Sequence, residues 1–248
     1  MIAAIAKHKI DYVIFNDHIG EAVDMISTDL EGLSLWGKRA GRSLPEHIKL
    51  VKETQSLTPQ VSRYLCVLSA AFEGMGVRYG SHDDPDAATR DYYRILGARI
   101  CEFPTSASAA RAAREHGDPV LMGAPNVVRG GSQSGNIAAV DLIRQGLCDA
   151  LVSDYHYPSL ARAALWLADE GIMPFSKAWQ MISTNPARIM ELPDRGEIAH
   201  GHRADLVIMN AQTRQIEGTI ANGRWSHLCG DLAARIGMIA LRVAHAAE

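Results

Sequence analysis

The feature that most constrains this chain is a serial alternation. Short apolar runs, at residues 11–15, 77–80, 98–103, 119–123 and 148–152, are separated by longer polar, amphipathic or alanine-rich stretches. Each run is nearly unbroken in apolar character, as expected of a strand covered on both faces. The intervening stretches predict helices. One closes at about residues 59–74. Another covers 85–96, with Pro85 in its first turn and Gly97 as its stop, and a third covers 106–116, ending at Gly117. Further helices are predicted at 137–145, near 159–169 and near 176–184. Five β-to-α units in series imply a parallel sheet with right-handed crossovers. After Pro186 the texture changes to short strand-like segments with an Asn222-Gly223 turn, and from about Asp231 to an amphipathic helix with apolar Leu232, Ile236, Ile239 and Val243.

Composition narrows the function classes. The chain has 248 residues, near the usual size of a single (β/α) barrel. Hydrophobic residues make up 47% and charged residues 21%, enough apolar mass for a packed core. The formal net charge of −3 argues against a general nucleic-acid binder. No apolar run approaches the length of a membrane span, and the opening segment, broken by Lys7, His8, Lys9 and Asp11, carries no signal-peptide pattern. The four scattered cysteines form no CxxC pair and are expected to be free thiols in a cytoplasmic protein.

Chemically capable residues fall at the carboxyl end of nearly every predicted strand: His18 with Asp17, His82 with Asp83 and Asp84, Glu102, Asn126 and Asp154. In a parallel α/β sheet or barrel, strand ends and helix N-termini converge on one mouth. An isolated strand-end histidine is more often structural, and an isolated aspartate before a helix more often a cap. The joint pattern of two histidines and carboxylates at one mouth instead suggests ligands for a hydrolytic divalent metal, with Asp154 placed to accept a proton from the attacking water. The glycine-rich stretch 129–136, Arg-Gly-Gly-Ser-Gln-Ser-Gly-Asn, is a second signal. Backbone N–H groups of Gly130, Gly131 and Ser132 could cradle phosphate, with Asn126 nearby and Arg129 gripping it bidentately.

Taken together, Ser81-His82-Asp83-Asp84, Glu102-Phe103-Pro104, the block from Gly123 to Ser132, Ser134-Gly135-Asn136 and Ser153-Asp154-Tyr155 resemble the α-D-ribose 1-methylphosphonate 5-triphosphate diphosphatase family of the carbon–phosphorus lyase pathway, a branch of the amidohydrolase superfamily. Residues 201–208 resemble the return strand of that superfamily's β-sandwich subdomain. The resemblance implies an α/β fold built on a metal-bearing (β/α)₈ TIM-type barrel. It implies one or two divalent ions, zinc being the expected metal, and hydrolysis of the sugar 5-triphosphate to the 5-phosphate and diphosphate. Carried onto this chain, His18, His82, Glu102 and Asp154 become the expected metal set. Asp154 becomes the proton acceptor, and Arg129 with its loop faces phosphate.

Three departures qualify this expectation. The family opens with a small β-subdomain and a first barrel strand bearing a histidine motif, then two more strands, and none of these precedes Tyr12. The chain is therefore expected to hold a partial barrel, strands four to eight (residues 1–190), part of the β-sandwich (191–230) and a C-terminal helix (231–248). Such a truncated copy would have impaired activity by itself, and its open edges would pair with a missing N-terminal segment or a second copy. Gln133 stands where the family has histidine, and the sequence after His18 diverges. The alternatives are another superfamily hydrolase acting on amides or as a deaminase, and an inactive remnant that serves as a binding protein.

Overall fold

The structure is a computed structural model that describes residues 1–132 and 135–246, with side chains of the last helix described through Met238. Gln133 and Ser134 lie outside the described residues, as do the side chains of Ile239 and Val243. The chain divides into two compact units, Met1–Trp166 and Leu167–Glu248.

The first unit is built on an all-parallel five-stranded sheet in chain order, β1 (Tyr12–Phe15), β2 (Arg78–His82), β3 (Ile100–Glu102), β4 (Val120–Gly123) and β5 (Ala150–Val152). The alternation predicted from sequence is therefore present. β1 and β5 are the sheet's two edges, each paired on one side only within this sheet. A short helix α1 (Ile2–His8) precedes β1. The long stretch after β1 folds as four helices, α2 (Ile19–Thr28), α3 (Leu30–Arg39), α4 (Leu44–Gln55) and α5 (Thr58–Met75). Asp29 caps α3 through the Gly32 N–H at 2.8 Å, and Ser43 with Glu46 forms a capping box on α4. α2, α3 and α4 enclose a satellite core of Ala22, Leu33 and Val51. α5 ends at Gly76 in the left-handed region and sends Leu65 and Phe72 into a second core with Ile5, Phe15, Val77, Tyr79 and Ala98.

The later helices of this unit are α6 (Ala87–Ile95), α7 (Ala107–Glu115), α8 (Ala124–Arg129), α9 (Ala139–Arg144) and α10 (Ser159–Asp169), the last running into the second unit. α6 begins after Pro85 rather than with it, because Asp86 takes the cap position and accepts the Thr89 N–H at 2.8 Å. Ser106 caps α7 in the same way through Ala109, at 3.2 Å. Strand register then fixes the functional end. His82 lies opposite Glu102, Glu102 opposite Leu121, and Gly123 opposite Val152. The carboxyl ends of β2 to β5 therefore lie together at one end of the sheet.

The second unit contains α11 (Phe175–Gln180) and α12 (Thr184–Ile189), two short helices where the sequence suggested one. They precede an antiparallel sheet of β6 (Leu206–Met209), β7 (Ile216–Ala221) and β8 (Arg224–Leu228), then α13 (Gly230–Ala246). Glu217 ties sheet to helix. Its carboxylate accepts the Leu232 N–H at 3.0 Å, at the start of α13, and the Asn210 amide at 2.9 Å. No described helix is long and apolar enough to cross a membrane.

Candidate active site

His82 and Glu102 meet because they are register partners at the ends of adjacent strands. The imidazole Nε2 lies 3.8 Å from Glu102 Oε2, and Nδ1 lies 3.0 Å from Asp83 Oδ2 but out of line for a hydrogen bond. On the far side of Glu102, Tyr12 from β1 donates its hydroxyl to Oε1 at 3.4 Å. Phe103 stacks edge-on against His82 with ring centroids 5.1 Å apart. The His18 ring, at the N-cap of α2, stands 6.2 Å from the His82 ring and is itself half exposed, with Nδ1 3.4 Å from Glu21.

The electrostatics follow from this crowding. Burial works against a charged His82, but the carboxylates of Asp83, Glu102 and Asp154 outweigh it and raise its pKa above the ordinary histidine value. Glu102 is pushed up as well. Burial is the main cause, and the His82 charge and the Tyr12 hydroxyl only partly oppose it. Burial and the neighbouring Glu102 together push the Tyr12 phenol up.

A cavity of about 240 Å³ opens beside this pair, lined by His82, Asp83, Asn126, Arg129, Asp154 and Tyr155 among others. Three residues at its floor and rim hold left-handed backbone: Asp83 at φ 57°, Phe103 at φ 54° and Asp154 at φ 49°. Aspartate tolerates that region, but a phenylalanine there is an outlier. Such strain, of the order of 1–3 kcal/mol per residue, tends to collect where side chains must be aimed. Phe103 is held in place by its N–H, which donates to the Leu121 carbonyl at 2.9 Å.

The Ser81-His82-Asp83-Asp84 run splits between two faces. His82 and Asp83 turn to the cavity, whereas Ser81 and Asp84 are fully buried. Asp84 accepts the Ser81 hydroxyl at 2.5 Å, and both meet Arg90 of α6, which is also fully buried and donates to the Ile100 and Ala98 carbonyls. Asp84, grouped with the strand-end acids in the sequence, belongs to this support beneath the site.

The glycine-rich stretch has a local fold that the sequence did not suggest. The segment before it is helix α8, with Pro125 in its first turn and Gly130, at φ 83°, as its C-cap. The Gly130 N–H donates to Val127 O and the Gly131 N–H to Asn126 O, so both serve to end a helix. Asn126 Oδ1 accepts the Ala139 N–H at 2.9 Å and pins the start of α9. Ser132 lines the cavity, and Arg129 reaches it from the last residue of α8. Its Nη2 donates to the Tyr155 hydroxyl at 2.5 Å. The structure thus gathers His82, Asp154, Asn126, Arg129 and Ser132 around one cavity, with Glu102 and His18 beside it. Tyr12 and Tyr155 are additions. Tyr12 is hidden in the sequence by its place within an apolar strand run.

The sequence profile of the amidohydrolase family matches residues 79–226. The chain belongs to the amidohydrolase family. Its cavity-lining strand ends, β2 to β5, fall within the matched segment. Over 151 residues this amidohydrolase is 44% identical to the alpha-D-ribose 1-methylphosphonate 5-triphosphate diphosphatase of Escherichia coli (strain K12), covering 60% of this chain and 40% of that protein. The chain therefore spans about 40% of the length of that relative. Among solved structures it resembles the beta-aspartyl dipeptidase of Fervidobacterium islandicum AW-1 (TM-score 0.55, 15% identity, 68% of this chain and 54% of that one). It also resembles the N-acetylglucosamine-6-phosphate deacetylase of Thermotoga maritima (TM-score 0.50, 12% identity, 68% and 56%). At such identities these two speak for the fold alone.

Amidohydrolases are generally metal-dependent. His82 and Glu102 suit an ion as two of its donors, since Nε2 and Oε2 face each other as an ion pair at 3.8 Å, outside hydrogen-bond distance. Among the described residues, no three His, Cys, Asp or Glu side chains stand close enough together to hold an ion. His18 and Asp154 flank the pair in this amidohydrolase without closing a coordination shell around it.

Proposed function

We propose that the strand-end cavity hydrolyses a phosphoanhydride, taking α-D-ribose 1-methylphosphonate 5-triphosphate to the 5-phosphate and diphosphate. The observation that carries this reading is the placement of Arg129 and Asp154 on one small polar cavity with His82, in a chain that over 151 residues is 44% identical to a diphosphatase named for that substrate. In this scheme the five parallel strands are an arc of the (β/α)₈ barrel.

The division of labour follows from the side chains. Arg129 offers a planar fork of donors to phosphoryl oxygens, supported by the hydroxyl of Ser132. Charge that builds on those oxygens is stabilised by donors already in place. The Asp154 carboxylate accepts a proton from the attacking water, and its left-handed backbone aims it into the cavity. Glu102, steadied by Tyr12, and His82 would hold a divalent ion, zinc in the first instance, with His18 and Asp154 as the further candidate ligands. When bound, that ion supplies Lewis-acid polarisation of a phosphoryl oxygen. The substrate is a phosphorylated sugar phosphonate, and the setting is cytoplasmic, in keeping with four free cysteines.

Phosphorus NMR of the chain incubated with zinc and the sugar triphosphate tests this. Diphosphate should appear, slowly, and Asp154→Asn should abolish it. Release of orthophosphate in its place, no release at all, or turnover of an amide substrate instead would overturn the assignment.

A further inference from the structure

We propose that Tyr155 is a positioning residue for Arg129. Its phenol oxygen holds the guanidinium at the rim of the cavity, so that the fork is already aimed when a polyphosphate enters. This rests on the phosphoanhydride reading above.

The two residues come from separate parts of the first unit, and each is anchored. Arg129 closes α8, whose end is fixed by Gly130 at φ 83° and by the Gly131 N–H bonded to Asn126 O at 3.0 Å. Tyr155 follows Asp154, at φ 49°, in a turn closed by the His156 N–H on Ser153 O at 2.9 Å. Across the gap Arg129 Nη2 donates to the Tyr155 oxygen at 2.5 Å.

The nature of the acceptor matters. Asp83 and Asp154 line the same cavity. An arginine swinging freely would be drawn to these carboxylates, and an ion pair there would spend its charge and occupy Asp154. A phenol is a neutral acceptor, so it orients the fork without cancelling the charge. An exposed arginine otherwise samples many rotamers, and each must be given up when an anion binds. Holding one N–H in place removes part of that loss beforehand.

Titration calorimetry with inorganic tripolyphosphate on the metal-free chain separates the possibilities. Arg129→Ala should weaken binding by roughly tenfold or more, and Tyr155→Phe by roughly fivefold. The double variant should bind no more weakly than Arg129→Ala alone, since Tyr155 acts only through Arg129. Tyr155→His, which restores a neutral acceptor, should recover part of the loss, a rescue that a purely structural role would not give. Wild-type affinity in Tyr155→Phe overturns the proposal, as do additive losses in the double variant, which would mean that Tyr155 touches the anion itself. If the wild-type chain does not bind tripolyphosphate, the phosphate reading of the cavity falls too. If it binds and only the tyrosine variants behave as wild type, the positioning role alone falls.

Discussion

His82 and Glu102 face each other across adjacent parallel strands, Nε2 to Oε2 at 3.8 Å, with Tyr12 bonded to the other carboxylate oxygen. A half-buried histidine and a half-buried carboxylate that face each other beyond hydrogen-bond distance are an arrangement a divalent cation would complete. His82→Ala and Glu102→Ala are each expected to weaken zinc binding by at least roughly tenfold. Tyr12→Phe, which removes only the hydroxyl supporting Glu102, should cost up to about as much. Zinc affinity measured by competition with a chromogenic chelator checks the order. Equal affinity in all three variants would remove the pair from the metal site.

Beneath that pair, Arg90 sits fully buried against Asp84, Ser81 and two backbone carbonyls. Removing one member of a buried ion pair leaves the other uncompensated, at a cost of about 3–5 kcal/mol. Arg90→Met should therefore lower the urea unfolding free energy by that order. Adding Asp84→Asn should recover part of it, because one of the two carboxylates facing Arg90 loses its charge, the other being Asp118 at 3.9 Å. A double variant less stable than Arg90→Met would show that Asp84 does not depend on Arg90 in this way.

Which parts of this could be read from sequence follows from what each residue's neighbours had to be. The five strands were legible because a parallel strand covered on both faces must be a short apolar run, and the strand-end positions of His82, Glu102 and Asp154 came with them. Helix α8 was not, although Pro125 and Gly130 bracket it in the usual order, because the glycines beside it read more readily as a phosphate loop. The role of Arg90 was hidden for a different reason. A charged residue on a helix is normally taken to face water, and only the tertiary fold shows α6 turning this one into the sheet. The Tyr12–Glu102 and Arg129–Tyr155 contacts join residues 90 and 26 positions apart, which local pattern does not report.

Gly80 of β2 lies opposite Ile100 of β3. A Cβ at this position would overlap the Ile100 carbonyl oxygen, which is backbone and has little room to move. Gly80→Ala is expected to destabilise by about 1–3 kcal/mol and to spread the His82–Glu102 pair. Both a lower unfolding midpoint and weaker zinc binding should result. A variant as stable as wild type would mean that the strands can separate freely.

The cysteines differ in what their surroundings allow. Cys66 is exposed on α5, whereas burial pushes the Cys101 and Cys148 thiols well above the ordinary range and keeps them protonated. At neutral pH iodoacetamide should modify Cys66 first in the native protein, and Cys101 and Cys148 only after unfolding in urea. Peptide mass mapping after a timed quench reads this directly, and early labelling of Cys101 would contradict its packing beside Asp84.

In the second unit, Glu217 accepts the Asn210 amide and the Leu232 N–H, and these bonds hold its carboxyl below the usual glutamate value. A folded-state pKa that is depressed relative to the unfolded chain contributes stability above the unfolded value. That contribution is lost as pH falls through the folded value. Glu217→Gln should therefore be destabilising at pH 7 and progressively less so, relative to wild type, as the medium is acidified through the carboxylate range. The helix signal of α13 should loosen with it, because the same carboxylate accepts the N–H at that helix's start. Urea unfolding followed by circular dichroism at a series of pH values measures the difference. A gap between the two proteins that stays constant with pH would mean that the charge on Glu217 plays no part in docking the helix.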